Sequence, residues 1–263
     1  MPFEIDHSGK NVVVTGAGAG IGRSIAFLFA QAGANIAVLD KRDDKAKETV
    51  EMLTALNQGS SFYVVGDARE DNQIERMFDE SSEKLGGIDI AVNNIGMLGP
   101  EGTSSLLEMD EKKWRDVIEQ NLLVTALSMK AEAKHMSESE SGVIINVSSG
   151  ETTRPSPFLA GYGAAKAGIN HLTQTAAVEF GPMGIRVLAV APGTTLTETV
   201  ADFFDEDRIS SIEQSNPLRR MSDIEDLGHL SVFLASDFAR NITGQFFLAD
   251  AGAHLSRERP PSV

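Results

Sequence analysis

Short runs of aliphatic and β-branched residues alternate along the chain with longer segments whose apolar positions recur at helical spacing. Asn11 to Thr15, Asn35 to Asp40, Ser61 to Val65, Ile88 to Asn93, Gly142 to Val147, Ile185 to Val190 and Gln245 to Leu248 predict strands. Helices are predicted over 21–32, 43–56, 72–85, 111–135, 161–180 and 224–235. Strict alternation of strand and helix implies an α/β fold, with about seven parallel strands in a doubly wound sheet and helices on both faces. Two segments break the rhythm. Residues 194–223 read as a long acidic loop or lid, and 253–263 as a tail with a proline pair.

At 263 residues and 41% hydrophobic content the chain can bury one full core, so a single domain over 1–263 is expected. Acidic residues number 38 against 23 basic, and the net charge of −15 argues against nucleic acid or an anionic membrane as partner. The absence of cysteine excludes disulfides and thiolate metal sites, and no metal centre is predicted. The first residues lack a basic stretch followed by an apolar one, and no run reaches the roughly 18 apolar residues of a membrane span. A cytoplasmic protein is expected.

In a doubly wound sheet, ligands bind at the carboxyl ends of the strands. The first such turn contains Gly16, Gly18, Ala19, Gly20, Ile21 and Gly22. Its glycines let backbone approach a pyrophosphate, and the helix that follows offers free amides. The competing reading is a plain strand-to-helix connection. Asp40 closes the second strand, where a carboxylate can accept hydrogen bonds from an adenosine ribose diol and repel a 2'-phosphate. NAD is therefore favoured over NADP, with Lys41 and Arg42 beside Asp40 partly offsetting that repulsion.

Tyr162 and Lys166 stand at i and i+4 on a predicted helix, so they share a face. A neighbouring ammonium is expected to lower the tyrosine pKa and make the phenol a general acid or base. Ser149, at the end of the Gly142 to Val147 run, can bond the same substrate oxygen, with Ser148 as its rival.

These residues resemble the short-chain dehydrogenase/reductase family over almost the whole chain. Thr15-Gly16-x-x-x-Gly20-x-Gly22 is similar to its glycine motif, and Ser149 with Tyr162-x-x-x-Lys166 to its active-site set. Asn93-Asn94-Ile95-Gly96 resembles its Asn-Asn-Ala-Gly turn, with isoleucine in place of alanine. Asn121 matches its catalytic asparagine, and Pro192-Gly193-Thr194-Thr195-Leu196-Thr197 its Pro-Gly-x-x-x-Thr segment. The resemblance implies a Rossmann-type domain that binds NAD through the glycine turn, Asp40, Lys41, Asp67, Ala68, Asn94, Ile95, Gly96, Tyr162, Lys166, Pro192, Gly193, Thr195 and Thr197. It also implies that Tyr162 exchanges a proton with a secondary alcohol or ketone as hydride moves. Ser149 orients the reacting oxygen, Lys166 holds the cofactor ribose and lowers the tyrosine pKa, and Asn121 holds a water through a distortion of its helix.

Leu98, Glu151, Thr153, Pro157 and Phe158 are candidates for a substrate pocket, with Leu196, Phe203, Phe204 and Ile209 as a lid. Phe203 and Phe204 can equally belong to the core, and Glu151 can meet a polar substrate group or face solvent. The leading expectation is an NAD-dependent secondary-alcohol dehydrogenase assembled as a tetramer. An NADPH-dependent carbonyl reductase of the 3-oxoacyl type is the alternative, followed by a non-catalytic dinucleotide sensor.

Overall fold

In the computed structural model, residues 5–98, 103–198 and 204–256 are described. Its strands are β1 (Asn11–Thr15), β2 (Asn35–Asp40), β3 (Ser61–Val65), β4 (Ile90–Asn93), β5 (Gly142–Val147), β6 (Ile185–Pro192) and β7 (Phe246–Ala249). All neighbours pair in parallel, in the order β3-β2-β1-β4-β5-β6-β7. The helices are α1 (Gly20–Gln31), α2 (Asp43–Ala55), α3 (Gln73–Leu85), α4 (Glu111–Ile118), α5 (Val124–Met136), α6 (Ala160–Phe180), α7 (Glu206–Ser215) and α8 (Ile224–Ala235). A π-helical turn, Glu119–Leu123, joins α4 to α5.

Successive strand side chains point to opposite faces, and apolar strands buried on both sides therefore feed two cores. Val12, Val14, Ile36, Val38 and Ile145 pack with Ile25 and Phe29 of α1, Leu53 of α2 and Leu227 of α8. Val13, Ala37, Leu39 and Ile144 pack on the other face with Met77 and Phe78 of α3, Met136 of α5 and Ala177 of α6. Helix α3 shows how sequence makes such a face: Ile74, Met77, Phe78 and Ser81 are its buried positions, at the i, i+3, i+4, i+7 spacing. Gly86 ends it in the left-handed conformation at φ 78°.

Several predicted boundaries differ from the observed ones, two of them in an informative way. The fourth strand begins at Ile90 rather than Ile88, while the Asp89 carboxylate accepts the Asn11 amide at 2.9 Å and the Lys10 ammonium at 3.2 Å. The stretch 194–223 is not all loop: Asp205 caps α7 by accepting the Arg208 amide at 2.8 Å, and Thr195 bridges Ser222 at its base. That helix escaped the sequence because its apolar stripe is thin, with Ile212 its one fully buried residue.

Chain order reverses between β1, which runs outward to β2 and β3, and β4, which starts the other half. At such a switch point the crossovers leave on opposite faces and open a crevice at the strand ends. Gly16 follows β1 there and Asn94 follows β4.

Candidate active site

The glycine turn is built by close approach. Gly16 and Gly20 adopt φ of 63° and 54°. A Cβ at Gly18 would lie 2.6 Å from Asp40 Oδ2, and one at Gly22 would lie 2.4 Å from the Gly16 carbonyl oxygen. Ala19 is extended and serves as the N-cap of α1, and Ile21 turns into the core beneath. Asn94 Nδ2 donates to the carbonyls of Thr15 at 3.2 Å and Gly16 at 3.1 Å, joining the β1 and β4 turns. Ile95, bulkier than alanine, is accommodated because it packs partly buried against the α3/α5 core.

Asp40 is 6% exposed. Its Oδ2 accepts the Gly18 amide at 2.8 Å, and its Oδ1 accepts the Arg42 amide at 3.0 Å and Nε at 3.2 Å. Lys41 turns instead toward Asp67, 3.9 Å away, next to buried Ala68. The sequence reading missed Arg23, which donates to the Gly18 carbonyl and to Thr49 Oγ1 and pairs with Glu48 at 3.0 Å. An arginine one turn into a helix that otherwise faces a core was the available signal.

The catalytic candidates come together at the ends of β5 and α6. Ser149 is buried and its Oγ accepts the Glu151 amide at 3.2 Å, and it lies near enough to the Tyr162 phenol to lower its pKa. Ser148 points the other way, donating to the Lys166 carbonyl at 3.3 Å. Lys166 is 2% exposed, its Nζ donates to the Val147 carbonyl at 2.8 Å, and it stands 5.7 Å from the Tyr162 ring centre. Burial pulls this ammonium down to about 8.

For Tyr162 the direction is opposite to the one expected from its neighbour. Burial raises the phenol above its usual value, the Ser149 hydrogen bond lowers it, and the Glu151 charge raises it again.

Asn121 lies in the π turn, where one extra residue per turn rotates its side chain inward. Its Nδ2 donates to the carbonyls of Met97 and Val117, each at 2.9 Å, and its buried Oδ1 has no protein donor. A Cβ at Gly96 would fall 2.6 Å from that Oδ1 and 2.7 Å from Lys166 Nζ, so the two polar groups converge over one glycine. Thr197 reaches back over the glycine turn, its Cγ2 3.6 Å from where a Gly20 Cβ would be. Pro192 ends β6, Gly193 donates its amide to Ser222 Oγ at 3.2 Å, and Thr195 Oγ1 donates to the Gly193 carbonyl at 3.1 Å.

Of the substrate candidates, Leu98 and Phe158 line a shallow hollow with Tyr162, Met109 and Val117. Glu151 is half-buried, its Oε2 accepting the Ser156 hydroxyl at 2.6 Å. Phe204 lies instead at the approach to α7, with the Arg208 guanidinium 6.0 Å over its ring. Phe203 falls outside the described residues. Among the described residues no group of side chains is arranged to hold a metal ion, and no helix is long and apolar enough to cross a membrane.

A dinucleotide fits this set: glycines that admit backbone contact, a buried carboxylate closing the second strand, and an orphaned asparagine oxygen beside the lysine. The family model described as enoyl-(acyl carrier protein) reductase matches residues 16–254. The short chain dehydrogenase/reductase astE of Aspergillus oryzae is 36% identical over 251 residues, covering 94% of this chain and 95% of the relative. The 3-oxoacyl-[acyl-carrier-protein] reductase FabG of Staphylococcus epidermidis is 36% identical over 247 residues, covering 94% and 99%. A solved 7α-hydroxysteroid dehydrogenase, complexed with NADH and 7-oxo glycochenodeoxycholic acid, superposes with a TM-score of 0.90 at 29% identity, covering 98% of each chain. The glycine turn, the crevice at the switch point and these similarities have one reading: the chain belongs to the short-chain dehydrogenase/reductase family.

Proposed function

We propose that this protein is an NAD-dependent oxidoreductase interconverting a secondary alcohol and a ketone, with Tyr162 as the general acid and base. The observation that carries the reading is buried Lys166 one helical turn along α6 from Tyr162, its Nζ 5.7 Å from the ring centre, with buried Ser149 just past the end of β5. The bound dinucleotide supplies the hydride acceptor or donor. Tyr162 Oη removes the alcohol proton in oxidation and returns it in reduction, while Ser149 Oγ holds the same oxygen in line. Lys166 stabilises the phenolate as it forms, and its depressed pKa makes it able to exchange that proton near neutral pH. Asn121 Oδ1 accepts from a water or from the lysine and thereby keeps the ammonium on the tyrosine side. Leu98 and Phe158 form an apolar wall, and Glu151 supplies a polar contact, which suits an alcohol on a ring or aliphatic skeleton that bears a further polar group.

The cofactor choice rests on Asp40, whose carboxylate lies against Gly18 where a 2'-phosphate would meet like charge. Titration with NADH and NADPH, followed through Trp114 or cofactor fluorescence, tests it: tighter NADH binding is expected. A second reading, an NADPH-dependent 3-oxoacyl-type reductase, is favoured by the Arg42 guanidinium on Asp40 at 3.2 Å and by the similarity to FabG. Tighter NADPH binding selects it. Binding of either dinucleotide without turnover of any alcohol or ketone selects a sensor. A homotetramer is part of the proposal, supported by Leu123 and Leu127, 47% and 42% exposed on adjoining turns at the α5 surface. Light scattering at the mass of one chain would overturn that assembly.

A further inference from the structure

We propose that Glu132 is a positioning residue, held as the neutral acid, whose carboxyl proton is donated to Asn93 Oδ1 and locks together the carboxyl ends of β4 and β5 beneath the site. Glu132 is fully buried on α5, in a helix face that otherwise contributes Met129 and Met136 to a core. It takes no part in the chemistry above. Its Oε2 accepts the Asn93 Nδ2 at 3.1 Å, and the same amide nitrogen donates to Asn146 Oδ1 at 2.9 Å. Asn146 in turn donates to Thr173 Oγ1 of α6 at 2.9 Å. The chain of amides thus spans α5, β4, β5 and α6.

Two atoms of this cluster are left buried with no donor, Glu132 Oε1 and Asn93 Oδ1. A buried acceptor without a donor costs free energy, and two in one cluster are unusual. One proton on Glu132 satisfies both at once, closing a carboxylic acid–carboxamide ring in which Glu132 donates from Oε1 and accepts at Oε2. Burial favours the same state, raising the carboxyl from 4.5 to about 8, against a smaller lowering by the Asn93 amide. Other ionisable groups of the surrounding elements have other partners or lie elsewhere. Asp79 of α3 pairs with His135 and Lys134, Glu75 of α3 lies 4.0 Å from Lys130, Glu119 is in the π turn, and Lys166 of α6 is bonded to Val147.

The consequence is positional. Asn93 immediately precedes Asn94, Ile95 and Gly96, and Asn146 lies shortly before Ser148 and Ser149. Ionising Glu132 removes the donor to Asn93 and leaves a buried charge in the layer that supports both turns. The effect on the dinucleotide rests on the functional reading above, whereas the effect on folding does not.

Glu132→Gln keeps the shape and supplies a permanent N–H donor. Sign follows from linkage: between the ordinary carboxyl pKa and the raised one, the native state binds the extra proton, so wild-type stability falls as pH rises through that window and then levels. Denaturant midpoints of the two proteins are compared from pH 5.5 to 9. The ratio of folding constants, E132Q over wild type, is expected to rise toward tenfold per pH unit up to about pH 8 and then level. E132Q should also keep wild-type NADH affinity at pH 6.5 and lose less of it than wild type at pH 9. A ratio independent of pH overturns the proposal. If neither protein binds NADH or NADPH, the functional reading falls, while a rising ratio still supports the neutral carboxyl. Should E132Q not fold, infrared spectra of the wild type decide: a buried carboxylic-acid carbonyl band at pH 7 that fades above pH 8 supports the proposal, and its absence at pH 7 overturns it.

Discussion

The Asp40 carboxylate and the Gly18 amide meet at 2.8 Å, so the end of β2 and the glycine turn after β1 are one structure rather than two neighbouring motifs. A carboxylate at this place shapes the turn.

Asp40→Ala should therefore impair binding of either dinucleotide, and NADH more than NADPH. The loss of a hydrogen bond to a charged group is worth about 1.5–3 kcal/mol, or roughly 10- to 100-fold in NADH affinity. Gly18→Ala, whose Cβ would collide with Asp40 Oδ2, should lower affinity for both cofactors alike. Fluorescence titration of the two variants separates ligand selection from turn geometry. Equal loss of NADH and NADPH in Asp40→Ala would remove the selective role.

Tyr162→Phe should lower kcat by about 10²- to 10⁴-fold, the usual contribution of a positioned acid or base, and leave NADH affinity within about twofold. Activity retained at the wild-type level would send the proton to another group. Ser149→Ala should fall in the same direction by a smaller factor.

Lys166 makes stability depend on pH even without cofactor. Its folded pKa lies near 8, below the 10.5 of an exposed lysine. Between those values the unfolded chain holds more protons, so stability rises with pH across that window, and the cost of burying the ammonium is complete below it. Lys166→Met lacks this rise. Denaturant midpoints at pH 7.5 and 9.5 should show the wild type gaining on the variant as pH increases, and a constant difference would contradict the buried-ammonium account.

Gly96→Ala tests the convergence of Asn121 and Lys166. A methyl group there forces one of the two aside, and overpacking of this kind costs about 1–3 kcal/mol of stability. Calorimetry should register that loss, and kcat should fall further than NADH affinity because the displaced group lies beside Tyr162 rather than in the glycine turn. Unchanged kcat in a folded variant would separate Lys166 from the chemistry.

Sheet, helix order and the strand-end turns were legible in the sequence because each depends on local periodicity. Apolar runs such as Val12 to Val14 and Ile144 to Val147 can be stable only as buried strands, and the glycines after β1 mark a sharp turn wherever the rest of the chain lies. Tyr162 and Lys166 shared a face by helical spacing alone. Spacing to Tyr162 favours Ser149 over Ser148, and in the fold Ser148 donates to the Lys166 carbonyl while Ser149 Oγ accepts the Glu151 amide.

What only tertiary structure decided is where charge and hydrogen bonding depend on groups distant in sequence. Helix α7 carries too little apolar surface to announce itself and is held by its cap and by the Thr195–Ser222 bridge. Glu132 reads as an ordinary charged helix residue, because nothing in its own segment shows that it is sealed against Asn93, and Arg23 stands out only as a lone charge on an apolar helix, with no sign that it reaches the Gly18 carbonyl. The sequence placed a cation beside Tyr162 and so suggested a lowered pKa. Burial, a property of the assembled core, raises the phenol instead and lowers the lysine, since desolvation acts on every charge that the fold removes from water.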